Sequence, residues 1–250
     1  MHLAFGAAAL LLIAGPDSLP AVEPARGNDQ PNIQYAVRFV DAGVHDVGGR
    51  GWRDLLHDDL RFLDQQGGAT IWTCGPDALR KLLTQVRADP DGSIVQSPNV
   101  TATSGALAEV ANETQRQYVA DVERVADGPR DQASRVAYKP LPRSLREGVR
   151  LKIAGERSAD GVKTRISIDD QRCLAMHNAM IRDQVHKPGE PKPYGIATTI
   201  QIPEVRSVKV GGDWLIPTNR VFVVSLGVMK ETNPRGKSAL RERLVIIEAR

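Results

Sequence analysis

Apolar positions set the first division of this chain, because their spacing changes near residue 92. Residues 33–40 alternate apolar and polar well enough for a strand, and Trp52, Leu55, Leu56, Leu60 and Leu63 then fall at helical spacing on one stripe. That stripe predicts a helix over 52–65. Gly67 and Gly68 precede a short strand, 69–74. Pro76 opens a second helix carrying Leu79, Leu82, Leu83 and Val86, and Asp89, Pro90, Asp91 and Gly92 stop it.

Beyond residue 92 the period falls from 3.6 to 2. Val149, Leu151 and Ile153 alternate with Arg150 and Lys152, Ile166 and Ile168 with Arg165 and Ser167, and Ile200 and Ile202 with Gln201. Such strands have one wet and one dry face. Residues 221–228 and 244–247 are instead apolar on both sides, as expected of strands covered on both faces, and the turn at 233–236 predicts that they form a hairpin. Between 170 and 196, Cys173, Leu174, Met176 and Met180 suggest a short helix and 187–193 a loop. No internal repeat is visible. The pattern predicts an α+β fold, with a small N-terminal α/β segment (33–90) followed by a mainly antiparallel β domain (91–250).

Composition narrows the class of protein. With 250 residues and 41% hydrophobic content, wholesale disorder is excluded. Residues 3–15 are an uncharged, largely apolar run too short to span a bilayer as a helix, which takes about 20 residues. The run has the length of a signal-peptide core, and the helix-breaking stretch after it ends in Ala21. This predicts a signal peptide over 1–21, a Pro-, Gly- and Asn-rich linker over 22–32, and export. A net charge of +3 with 4% aromatic residues offers neither an electrostatic footprint nor a stacking platform, so nucleic acid is not expected as a partner. Cys74 and Cys173 suit either redox compartment, and their separation leaves a disulfide open.

Candidate chemistry is sparse. Gly236, Lys237 and Ser238 resemble the end of a phosphate loop, but Glu231 stands where its first glycine belongs. Gly48, Gly49, Arg50 and Gly51 read as a flexible loop. Cys173 and His177 would share a face if helical, with Asp169 and Asp170 just before them, which suggests a nucleophile pair or half of a metal site. No second ligand cluster accompanies them, since His45, His57 and His186 are scattered. His57, Asp58 and Asp59 read as a solvated helix face. Residues 130–165 carry ten basic and four acidic side chains, a pattern of wet strands or of a surface meeting acidic groups. No catalytic, cofactor-binding or metal-ligating residue is assigned, no cofactor is expected, and the chain reads as a non-enzyme.

The order of features after residue 76 resembles the secretin domain of bacterial type II and type III secretion proteins, as a reduced or divergent relative. A helix leads into Ser97, Pro98, Val100 and Thr101, a turn at Gly105, and a strand with Ala108 and Glu109. Gly148, Val149, Leu151 and Ile153 resemble the family's Gly-Val-x-Leu strand, Ala159, Asp160 and Gly161 its next turn, and 202–228 its paired strands. Residues 243–250 resemble its terminal strand. Three departures stand out: Ser225, Leu226, Gly227 and Val228 replace a double glycine, the family's Val-Pro-Tyr-like element appears only as Gln115, Arg116, Gln117, Tyr118 and Val119, and only 33–75 would match the family's ring-building domains.

The resemblance implies a homo-oligomeric ring or channel for protein secretion, exported to the outer membrane or periplasm, with 91–250 as the secretin-like domain and 119–147 as an inward hairpin. Other secretion-system components and the outer membrane are the further partners it implies. The alternative is a soluble periplasmic scaffold or binding module with the same fold and no pore.

Overall fold

The computed structural model describes residues 32–44, 51–127, 135–185, 191–232 and 238–250. The stretch expected as a signal peptide (1–21), residues 22–31 of the expected linker and most of the 48–51 and 236–238 motifs lie outside these residues. Eleven strands and two helices are described: β1 (Asn32–Gly43), α1 (Trp52–Leu56), β2 (Arg61–Gln66), β3 (Ala69–Cys74), α2 (Pro76–Ala88), β4 (Ser93–Gln96), β5 (Asn99–Thr103), β6 (Leu107–Ala126), β7 (Val136–Ser158), β8 (Gly161–Val185), β9 (Tyr194–Pro217), β10 (Val221–Thr232) and β11 (Ser238–Ala249). None of the described helices is long and apolar enough to cross a membrane.

All pairings are antiparallel. Sheet A runs β2-β3-β10-β11-β1-β4, with β5 following β4 along the same edge of β1; sheet B runs β6-β7-β8-β9. One core fills the space between the sheets, from Ile33, Tyr35, Val37 and Phe39 of β1 to Val149, Leu151 and Ile153 of β7. A second core lies on the other face of sheet A, where Leu79, Leu82 and Val86 of α2 and Trp52 and Leu56 of α1 cover Val221, Val223, Leu244 and Ile246. The helices, sheet A and sheet B thus stack as three layers. β10 and β11 occupy the middle of the middle layer, so both faces of each are dry and must be apolar.

This arrangement corrects the expected fold class. β3 pairs with β10 and β1 with β11, so the N-terminal strands flank the C-terminal hairpin inside a single sheet. The protein is β-rich, two antiparallel sheets with two helices, rather than α+β with a separate N-terminal α/β segment. The physical reason is that β10 and β11, apolar on both faces, need backbone partners at both edges and cover on both sides. Residues 32–88 supply all of these.

Two helix expectations are corrected as well. The stripe over 52–65 ends as a helix at Leu56, where the Asp59 and Leu60 amides both donate to the Leu56 carbonyl; residues 61–66 form β2. Gly67 and Gly68, at φ +52° and +85°, close β2 and β3 into a tight hairpin, the conformation that two-residue turns require and glycine supplies. The stretch around 173–180 is also strand, paired with β9 without a break in topology. A bulge at Leu174 inserts one extra residue there. That insertion shifts the period of 2 and makes the apolar spacing imitate a helix.

Candidate functional site

Sheet B is longer than its sandwich. β8 has 25 residues and β10 only 12, so at roughly 3.3 Å per residue sheet B runs about twice as far as the strands it packs on. Its three ladders do not end together. β7 and β8 are paired only from Ser158–Gly161 to Gly148–Gln171, whereas β6 and β7 continue to Ala126–Val136 and β8 and β9 to Val185–Tyr194. Beyond residues 148 and 171 the sheet forks into two hairpin arms. Gly148 sits at the fork at φ +133°, and a Cβ there would come within 2.0 Å of the Asn112 carbonyl oxygen, so only glycine fits.

The base of the fork holds most of the buried charge. Asp41 of β1 accepts two hydrogen bonds from the Arg243 guanidinium of β11, at 2.7 and 2.9 Å. Arg243 Nη1 lies 3.8 Å from Asp170 of β8, and Arg172 Nε lies 3.3 Å from the same carboxylate. Arg206 of β9 donates to the Leu226 and Val228 carbonyls of β10, binding the root of the second arm to sheet A. Burial pushes the Asp170 carboxyl above its usual range, against the opposing pull of Arg172 and Arg243. The charges therefore pin sheet B to sheet A and leave the carboxylate under strain of desolvation.

The arms turn their more protected rows toward each other. In the first arm Val122, Arg124 and Ala126 are half-buried while Asp121, Glu123 and Val125 are exposed; in the second, Ile181 and Asp183 are half-buried and Val185 is buried, while Met180, Arg182 and Gln184 are exposed. Arg124 Nε donates to Asp183 Oδ2 at 3.0 Å across the gap. The Val119 amide, on the free edge of β6, donates to Gln201 Oε1 of β9, also at 3.0 Å.

The residues singled out from sequence do not converge. Cys173 Sγ lies 3.1 Å from the Ala175 carbonyl, and His177 Nε2 lies 3.1 Å from Glu204 Oε2, so each has its own polar partner. Asp169 faces Lys209 on the wet side of sheet B, and Asp170 is buried on the other. The strand conformation sends the neighbours Asp169 and Asp170 to opposite faces, and the bulge at Leu174 puts Cys173 and His177 out of step as well. Both cysteines are free; Cys74 lies in the core beneath the helices, where burial raises its pKa to about 11. His57 and Asp58 form an exposed pair in the turn after α1. Among the described residues no group of three or more His, Cys, Asp or Glu could hold a metal ion. From residue 136 on, the basic run over 130–165 is spread along β7 and β8, where Arg150 pairs with Glu113 and Arg165 with Asp213 on the wet face; 130–134 lie outside the described residues.

The first arm contains the described residues of the 119–147 stretch that the resemblance implied as a hairpin, whereas the second arm, the fork and their charged root went unread at the sequence level. Their only signals were the length of the alternating stretches and the placement of Gly148. No protein-family model, curated protein or solved structure matches the chain.

Proposed function

We propose that this protein is a secretin-like subunit, exported and non-enzymatic, that assembles with copies of itself into an outer-membrane ring or channel for protein secretion. The observation that carries the reading is the open four-stranded sheet whose two hairpins run well beyond the sandwich core. A four-stranded sheet with two free edges cannot close a barrel alone, whereas copies side by side leave no edge unpaired. Strand direction alternates across β6-β7-β8-β9, so β6 of one copy set beside β9 of the next continues the antiparallel order. This is a head-to-tail contact, and such contacts generate rings when the rotation closes. The residue order that resembles the secretin domain supports the same reading.

One observation favours the second reading, a soluble periplasmic scaffold with no pore. The wet face of sheet B carries Glu109, Glu113, Arg150, Lys152, Arg165 and Asp213 in ion pairs, where a lipid-facing band would be apolar. The native mass of the protein, extracted in mild detergent from fractionated envelopes, tests both. A large multimer in the outer-membrane fraction is expected. A monomer in the soluble fraction would overturn the ring and leave the scaffold.

A further inference from the structure

Sheet B ends in two free edges, and a glutamine side chain meets each of them. On β9 the Gly211 amide donates to Gln66 Oε1 from the β2–β3 hairpin, at 3.1 Å. On β6 the Val119 amide donates to Gln201 Oε1 of the opposite arm. No backbone ladder joins β6 to β9. Side-chain plugs of this kind satisfy an edge amide without committing it, and a strand from another chain offers the same amide a carbonyl instead.

We propose that the contact between the two arms is an autoinhibitory clasp: within one copy Gln201 of the second arm holds the free edge of β6 in the first, and the arms part when a second copy of the chain pairs with that edge. The inference rests on the ring reading above and adds its control step. Each arm carries a bulge, at Ala120 in β6 and at Leu174 in β8, which bends it and strengthens its local twist. Gly148 marks the point from which they diverge. The Arg124–Asp183 pair closes the gap, with side chains only 22% and 18% exposed, and half-buried apolar residues flank it on both arms. Parting the arms exposes those rows and frees the Val119 amide, so the open form is costly in a lone copy and favoured where a neighbour covers both.

Linking the arms tests this. Val119→Cys and Gln201→Cys are introduced with Cys173→Ser and bridged by a short, reducible bis-thiosulfonate reagent; Cys74, buried and with its pKa raised to about 11, is spared. The mass of the bridged and the reduced chain is then measured by light scattering in mild detergent. The bridged chain is expected to stay monomeric and the same chain to assemble on reduction. Equal assembly in both states would overturn the clasp while leaving the ring, and assembly in neither, with the parent chain also monomeric, would overturn both. A second variant, Arg124→Gln with Asp183→Asn, covers damage by the cysteines: half-assembly is expected at about two- to five-fold lower protein concentration, the range a partly exposed ion pair supports. An unchanged concentration would overturn the clasp.

Discussion

Tyr35 is buried in the core between the sheets, and its hydroxyl has no hydrogen-bond partner. Burial accordingly raises its pKa, with Arg157 opposing weakly. An unsatisfied buried hydroxyl costs about 1–3 kcal/mol, so Tyr35→Phe is expected to leave the melting temperature unchanged or raise it. A clear fall would show that the hydroxyl is bonded in solution. Asp170 behaves differently, because its cost depends on pH. Its pKa is raised in the folded state, so the folded protein holds that proton more tightly than the unfolded chain. Stability from this group is present below its unfolded pKa and is lost as pH rises through the folded value. Relative to Asp170→Asn, the parent protein should therefore lose stability as the pH rises above about 4 in denaturant titrations. A parent advantage that grows with pH would mean that Arg172 and Arg243 outweigh the burial.

At the scale of elements, the hairpin of β10 and β11 is the strut on which both cores depend. Phe222 and Val224 face sheet B while Val221 and Val223 face the helices, and all four are buried. Val223→Asp places a charge among the apolar side chains that α2 and β11 pack against it, Leu79, Leu82 and Ile246 among them. Loss of the cooperative unfolding transition is the expected result, and a variant that still melts like the parent would show that α2 does not cover β10. α1 shows why a short element can be held without periodicity. Its Trp52 indole donates to Glu242 at 2.8 Å, Arg53 and Ser225 bond the same carboxylate, and Arg53 stacks over Trp52 and Trp72. A five-residue helix has little stability of its own. Its position is fixed by a carboxylate nearly 190 residues away, which no local window of sequence could display. The strands 149–153, 162–169 and 221–228 were legible because one or both faces are dry in a regular way. The helix read over 173–180 failed because a bulge breaks that regularity.

For the whole molecule, the question of function turns on sheet B and its fork. The same alternation that marks β6 to β9 as strands also runs through the arms, but alternation records only that one face is drier than the other. It does not say whether the drier face meets sheet A, the opposite arm or a neighbouring copy. The native-mass measurement belongs at this scale, since edge pairing between copies changes mass without changing secondary structure. The core supports such an assembly because its side chains lie outside the arms: none of its members falls between 112 and 148 or between 171 and 207. Movement of the arms therefore leaves the sandwich packed.

What the sequence determined by itself was local: the existence of α2, with its proline start and its Asp89–Gly92 stop, the two-faced strands, and the doubly dry hairpin at the end of the chain. Periodicity encodes burial directly, so these needed no partner to be read. Tertiary structure alone decided that β1 and β3 join β10 and β11 in one sheet, that Cys173 and His177 belong to separate contacts, and that Asp41, Asp170, Arg172 and Arg243 meet at the root of two arms. Those outcomes depend on which strand edges find each other across 100 or 200 residues. Edge pairing is made by backbone groups that every residue carries alike, so the residue order cannot announce it.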